Sequence, residues 1–408
     1  MNNPDPSSAS LFPILKAPLT GLARIAAEGE HAEDGHLVEF RTMQVRSILN
    51  RSVSRRQLSL DLSINPYRGC EFGCKYCYAR YTHEFLAPRS SAAPRDGAVG
   101  AVPGAGFGPE WVSGPKPVDF HDPTSFDRVI FMKQNAAWLL EQELRRVDPG
   151  LEIALGTATD PYQPIERRAL ITRSILEVFA RKSGFRLGIV TKSRLIERDI
   201  DLLQRIARQN TLVVHITITT DDAVLARKLE PRAPRPDLRF AAVRRLRDAG
   251  IPVGVLCCPL LPGITDSDQA IDAMARRSAA AGALFFAGNP LFLKACSRPT
   301  YLSFVREHFP SLVADHEQRF GAADFAAPPY RRQLALSVAR ACRRYGLRER
   351  SHDALLTREM KTERVPKTSR HANAGGLSAV TAGSDPGADS IRKAPQRVMA
   401  FGQQRLFG

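Results

Sequence analysis

Asn65-Pro66-Tyr67-Arg68-Gly69-Cys70-Glu71-Phe72-Gly73-Cys74-Lys75-Tyr76-Cys77-Tyr78-Ala79-Arg80 places three cysteines at Cys-x3-Cys-x2-Cys spacing. Thiolates packed this closely can hold three irons of a [4Fe–4S] cube and leave the fourth without a protein ligand. Clusters that only carry electrons usually have four cysteines, so an open iron points to binding and activating a further group. A structural zinc site wants four closed ligands, commonly two Cys-x2-Cys pairs or paired histidines. No second pair occurs here, and His83 would have to fold back from a helix start to complete a Cys3His set. A disulfide framework does not suit seven cysteines, an odd number, in a chain this large.

Around this loop the chain reads as a soluble globular protein. Its 408 residues are 43% hydrophobic, enough for one large domain with appendages or for two domains. No apolar run approaches the roughly 18 residues of a membrane span. The opening Met1-Asn-Asn-Pro-Asp-Pro lacks the basic and apolar regions of a signal peptide. The expected location is the cytoplasm, where thiols stay reduced. The net charge of +16 favours polyanions, so nucleic acid is a candidate partner.

Strand-like and helix-like stretches alternate through the middle of the chain. Leu60–Asn65, Arg128–Lys133, Leu151–Leu155, Phe185–Val190, Leu212–Ile218 and Pro252–Cys257 read as strands, with Ala283–Ala287 as a further one. Helical patterns run from the Lys133 end to Arg146, over Glu166–Arg181, Leu195–Arg208 and Phe240–Ala249, and over Asp266–Ala281. Such alternation predicts parallel strands with helices outside, and ligands at the carboxyl ends of the strands. Residues 1–55 read as a partly disordered N-terminal extension covering one end of the fold. Residues 56–350 form the core, interrupted at 88–117 by an Ala-, Gly-, Pro- and Ser-rich insertion. Residues 351–408 form a mostly disordered basic tail.

Several segments in a fixed order resemble one family. The cluster loop has the Cys-x3-Cys-x-aromatic-Cys pattern of radical S-adenosylmethionine (SAM) enzymes. Its flanks, Asn65–Cys70 and Tyr76–Arg80, resemble the spore photoproduct lyase-like branch, also described as DNA-repair-photolyase-like. Thr159-Asp160-Pro161-Tyr162-Gln163-Pro164-Ile165-Glu166, Val190-Thr191-Lys192-Ser193, Leu229-Glu230-Pro231-Arg232-Ala233-Pro234 and Pro259-Leu-Leu-Pro-Gly-Ile-Thr-Asp266 agree with it. The resemblance spans residues 55 to 350. It implies an α/β fold, an incomplete (β/α)6 barrel, holding a [4Fe–4S] cluster on Cys70, Cys74 and Cys77 and SAM on the open iron.

The resemblance also implies roles at the strand ends. The backbone beside Tyr76 would lie near the adenine, and Lys192 would pair with the SAM carboxylate. Ser193 would reach amino-acid or ribose oxygens, Thr217 and Thr219 the ribose, and Pro259 would begin an adenine shelf. Thr159 and Asp160 fall at another strand end, where capping of a helix start is the competing role. Glu166, Arg232 and Arg235 are candidate substrate contacts, each with an ordinary solvated or capping role as the alternative. An electron donor such as flavodoxin or ferredoxin is implied as a partner.

Spore photoproduct lyase uses a further cysteine, some tens of residues past the cluster, as hydrogen-atom donor. Here no cysteine lies between Cys77 and Cys257, so that donor has no counterpart. Cys257 and Cys258 end a strand; alternation lets only one face inward, and that one is the candidate donor. The end of the tail, Gln403-Gln404-Arg405-Leu406-Phe407, resembles the short peptide by which bacterial repair proteins hold the sliding clamp. The expected function is radical SAM chemistry, lyase-like or another radical transformation, on a nucleic-acid-related substrate, as in DNA repair. The alternatives are the same chemistry on a small molecule or peptide, or a non-catalytic iron–sulfur sensor.

Overall fold

The computed structural model describes residues 38–51, 61–86 and 118–349. The 88–117 insertion, the tail and the Gln403–Phe407 peptide fall outside the described residues. Within them lies an eight-stranded sheet in the order β11-β10-β9-β8-β7-β6-β3-β2. Its strands are β2 (Leu49–Arg51), β3 (Leu62–Ile64), β6 (Glu152–Leu155), β7 (Arg186–Thr191), β8 (Thr211–Thr217), β9 (Val253–Leu260), β10 (Phe285–Pro290) and β11 (Arg348–Glu349). Every neighbouring pair from β3 to β11 is parallel; only β2, against β3, is antiparallel. The six strands β3, β6, β7, β8, β9 and β10 are the expected incomplete barrel, with β2 and β11 on its two edges.

The crossovers carry helices because their apolar residues recur at helical spacing. The main ones are α1 (Ala136–Glu143), α2 (Ile171–Phe179), α3 (Ile200–Gln209), α4 (Pro236–Asp248), α5 (Asp268–Ala280) and α6 (Pro328–Arg344). In α3, Leu202, Leu203 and Ile206 are buried while Arg205, Arg208 and Gln209 face outward. The start of α5 is fixed by Ser267, whose hydroxyl accepts from the Ala270 N–H at 3.1 Å. These helices bury alternate strand residues, such as Val214 and Ile216 of β8 and Val253, Val255 and Cys257 of β9. The opposite, concave face holds Val213, Leu256, Phe285 and Ala287. Each fully buried Ile or Leu contributes about 1.5–3 kcal/mol relative to exposure, so the helix-covered face is the main source of stability.

Two expectations need correction. Residues 128–133 were expected as a barrel strand. Instead β5 (Val129–Lys133) lies between β1 (Glu39–Met43) and β4 (Tyr67–Arg68) in a separate three-stranded sheet. The run Val-Ile-Phe-Met-Lys is buried on both faces, which a continuous apolar strand requires in either sheet. Residues 39–51, expected outside the core, supply β1 and the edge strand β2.

A second core lies beneath the cluster loop. Phe72, Cys74 and Tyr76 pack with Leu229, Leu261, Leu291, Leu293, Tyr301, Phe304 and Phe320. The segment after β10 therefore supports the loop, and Ser297 Oγ donates to the Cys77 carbonyl at 2.7 Å. No helix among the described residues is long and apolar enough to cross a membrane.

Candidate active site

The loop Gly69–Arg80 hangs over one end of the sheet, and its position is set by main-chain bonds. Cys70 N–H donates to the Phe126 carbonyl at 2.9 Å, and Lys75 N–H to the Leu229 carbonyl at 2.9 Å. Gly69 has φ +83°, and a Cβ there would stand 2.7 Å from the carbonyl oxygens of both Phe126 and Val129. Only glycine fits that turn.

Side chains brace the loop from two sides. Thr159 Oγ1 donates to the Gly69 carbonyl at 2.5 Å, and Gln163 receives the Glu71 N–H at 2.8 Å. Glu71 in turn accepts from the Ile165 N–H at 2.7 Å. On the far side, Arg80 bonds Asp127 at 2.7 Å and the Cys74 carbonyl at 3.2 Å. Arg232 bonds the other Asp127 oxygen at 3.1 Å and donates to the Glu71 carbonyl. Thr159 and Arg232, read from sequence as cofactor or substrate contacts, therefore hold the loop itself. Arg235 sits apart in an exposed pair with Asp237.

The three cysteines are close enough to act on one another. Burial, then Asp160, Cys74 and Cys77, hold the Cys70 thiol well above its ordinary value. Burial pushes Cys74 up to about 12 even with Lys192 nearby. Such thiols stay protonated at neutral pH unless a metal takes the proton's place. Backbone groups of Phe72 and Ala79 favour the thiolates of Cys70 and Cys77.

His83 is not a fourth ligand. Its ring packs against Phe126 at 5.2 Å and Phe131 at 5.8 Å, and burial lowers its pKa to about 3. Among the described residues, no three His, Cys, Asp or Glu side chains close on a point as ligands of a single ion do. The donor set present is three cysteines in one loop, the ligand type that iron–sulfur clusters take.

Facing the loop is a buried polar network. Tyr76 OH donates to Glu230 and lies 2.8 Å from Thr219 Oγ1. Thr219 Oγ1 is also 2.9 Å from Glu230 Oε1 and 3.1 Å from the Cys258 carbonyl. Glu230 pairs with Arg239 at 2.5 Å, both side chains being 1% exposed. Arg239 also donates to the Thr217 carbonyl at 3.1 Å and the Pro234 carbonyl at 2.7 Å. Lys192 reaches over the Tyr76 ring, its Nζ 5.8 Å from the centroid. Burial works against its charge, but Cys74, wherever its thiol is ionised, and Glu230 favour it and raise its pKa.

The remaining expected residues sort by geometry. Asp160 accepts from the Tyr162 N–H at 2.9 Å, Thr191 Oγ1 at 2.6 Å and the Lys192 N–H at 2.7 Å. It ties the ends of β6 and β7 together. Ser193 accepts from the Leu195 N–H at 3.2 Å and so caps the following helical turn. Thr217 ends β8 on the concave side, and Pro259 lies near the end of β9. Cys257 is 1% exposed among the helix-facing residues, so it is turned away from the concave face. Cys258 is the one that packs there, beside Leu256 and Ala287. Glu166 is fully buried; it accepts from Tyr67, from the Thr172 N–H at 2.9 Å and from Arg198 at 3.0 Å. That is a structural hub rather than a substrate contact.

The strand ends that gather these residues lie within one homologous region: the radical SAM superfamily model matches residues 64–275. The chain belongs to the radical SAM superfamily. A protein of Mycobacterium tuberculosis is 31% identical over 338 residues, covering 82% of this chain and 90% of its own. A protein of Methanocaldococcus jannaschii is 26% identical over 208 residues, covering 51% of this chain and 63% of its own. Among solved structures, a spore photoproduct lyase variant with bound AdoMet and dinucleoside spore photoproduct aligns at 14% identity. It covers 81% of this chain and 84% of its own, with a TM-score of 0.49.

As a radical SAM enzyme, the protein uses the family's [4Fe–4S] cluster and SAM. Glu230, Arg239, Arg80 and Asp127 were not assigned roles in the sequence. Glu230 lies in a quoted segment, but its partner Tyr76 is 154 positions away, and no local pattern joins them.

Proposed function

We propose that Cys70, Cys74 and Cys77 hold the [4Fe–4S] cluster and that the enzyme generates a 5′-deoxyadenosyl radical to act on a nucleic-acid-related substrate. The observation that carries the first part is the facing of three mutually coupled cysteines, Cys74 buried and Cys70 and Cys77 half-buried, by Lys192. When bound, the cluster supplies one electron that cleaves the SAM C–S bond, giving methionine and the radical.

The chain's own residues prepare that site. Among the described residues the Lys192 ammonium has no hydrogen-bonded partner, and it stands where a SAM carboxylate would be met by a charge-assisted bond. Glu230, held by Arg239 and Tyr76, keeps Lys192 charged and the tyrosine fixed. Thr217 offers a hydroxyl at the adjacent strand end. Cys258, on the concave face, is the thiol available to return a hydrogen atom.

The nucleic-acid part rests on the net charge of +16 and on the ordered segments that resemble the spore photoproduct lyase-like branch. It is tested with the reconstituted enzyme, SAM and oligonucleotides deuterated on sugar or thymine methyl positions. Deuterium in 5′-deoxyadenosine, together with DNA affinity that falls as salt rises, is the expected result. Protium-only product with every oligonucleotide would direct the chemistry to a small molecule or peptide.

A further inference from the structure

Arg80 closes the cluster loop, and its side chain is 2% exposed. Nη1 donates to Asp127 Oδ1 at 2.7 Å and to the Pro123 carbonyl at 2.5 Å, and Nη2 to the Cys74 carbonyl at 3.2 Å. Nε is buried as well, yet its N–H has no acceptor among the described residues. A buried N–H without an acceptor is destabilising and rare. The thiols of Cys77 and Cys74 lie close enough to act on this guanidinium. Burial opposes the Arg80 charge, while Asp127 and then Cys77 and Cys74, wherever ionised, favour it. The effect is mutual: burial disfavours the Cys77 thiolate, and Arg80 is the strongest influence in its favour.

Asp127 moderates that charge. It is 15% exposed, and its other oxygen meets Arg232 at 3.1 Å. Gly73 makes the approach possible: a Cβ there would run into the Arg232 guanidinium and stand 3.1 Å from Asp127 Oδ2. One carboxylate thus lies between two guanidiniums behind the loop.

We propose that Arg80 sets the reduction potential of the cluster, its Nε N–H donating to a sulfur that the cluster brings and its charge favouring the reduced form. Asp127 opposes it by cancelling part of that charge. Cluster potentials follow hydrogen bonds to sulfur, net charge and solvent exposure. Reduction adds one electron and no proton, so it places one more negative charge beside a buried cation, where screening is weak. Lys192 also favours the thiolates of Cys74 and Cys77, but in the proposed site it is engaged by the SAM carboxylate. That leaves Arg80 as the cation committed to the cluster.

The inference rests on the assignment of the cluster to Cys70, Cys74 and Cys77. The test is a redox titration of the full-length reconstituted protein without SAM. Dithionite is the reductant, and the [4Fe–4S]⁺ paramagnetic resonance signal is the readout. Arg80→Gln removes both the charge and Nε, and is expected to disfavour the reduced form about tenfold, lowering the midpoint by about 59 mV. Arg80→Lys restores the charge without the fork and should fall between Arg80→Gln and wild type. Asp127→Asn leaves Arg80 in place, removes the opposing charge and should raise the midpoint. Iron content should stay at the wild-type level, because Thr159, Gln163 and Arg232 still brace the loop.

A loosened loop would move Arg80→Gln and Asp127→Asn in the same direction; a charge effect moves them oppositely. Unchanged midpoints, or shifts of one sign in both variants, overturn the proposal. Should Arg80→Gln lose its iron, Asp127→Asn decides alone, and a midpoint that does not rise overturns the proposal. Failure of the cluster assignment looks different: the cysteine variants would keep full iron, whatever the midpoints do.

Discussion

Alanine at Cys70, Cys74 or Cys77 is expected to reduce bound iron and sulfide to background and to abolish 5′-deoxyadenosine formation. With each thiol on a different iron, as proposed, losing one would leave two ligands for a group that needs three. The substituted chain should still fold. The loop is held by Thr159, Gln163, Arg80 and Arg232 through its carbonyl and amide groups, not through sulfur. Burial also holds the metal-free thiols protonated. Their replacement therefore removes a small neutral group rather than a charge. Circular dichroism of the apo variants should match wild type, while iron analysis and product chromatography separate them from it. Equal iron in all three variants would remove the cluster from this loop.

Glu230→Ala carries the largest expected cost to the metal-free protein, about 3–5 kcal/mol in urea unfolding, because it strands a buried Arg239. Arg239 is 1% exposed and lies deep among the strand ends, where water cannot replace the lost carboxylate. Tyr76 and Lys192 lose their partner in the same step, so SAM binding should weaken as well.

The pH dependence has a definite sign. Burial alone would raise the Glu230 pKa, but Arg239 and Lys192 outweigh it and hold the group below its ordinary 4.5. Its stabilising contribution is therefore fully present above about 4.5 and is lost as pH falls below that value. The stability gap between wild type and Glu230→Ala should narrow in that acid range and stay constant above it. A gap that widened on acidification would show that the carboxylate is not the stabilising form.

The loop and the strand-end motifs are legible in sequence because they are local. Cysteine spacing, the Gly69 turn and the alternation of strand and helix each depend on residues within a few positions of one another. What the sequence hides is pairing at a distance. The buried run Val129–Lys133 reads correctly as a strand, but nothing in it says that β1 and β4 are its neighbours rather than the barrel. Alternation shows that only one of Cys257 and Cys258 can face inward; register against β8 and β10 decides for Cys258.

Arg232 and Glu166 illustrate the same limit. Charged residues in a strand-end motif suggest ligand contact, and here both are consumed by bracing other segments. Lys192 is the charged strand-end residue that bracing leaves facing the cysteines, and its position relative to Cys74 and Tyr76 emerges only when the loop folds over β7 and β8.

The central claim is a cluster on three cysteines with one iron open to SAM. Low-temperature electron paramagnetic resonance of the reduced, reconstituted protein, recorded with and without SAM, tests it most directly. The expected result is a [4Fe–4S]⁺ signal whose g values shift on adding SAM, with the shift lost in the cysteine variants along with the signal. A cluster signal that SAM leaves unchanged would mean that the fourth iron is already closed, and would contradict the account.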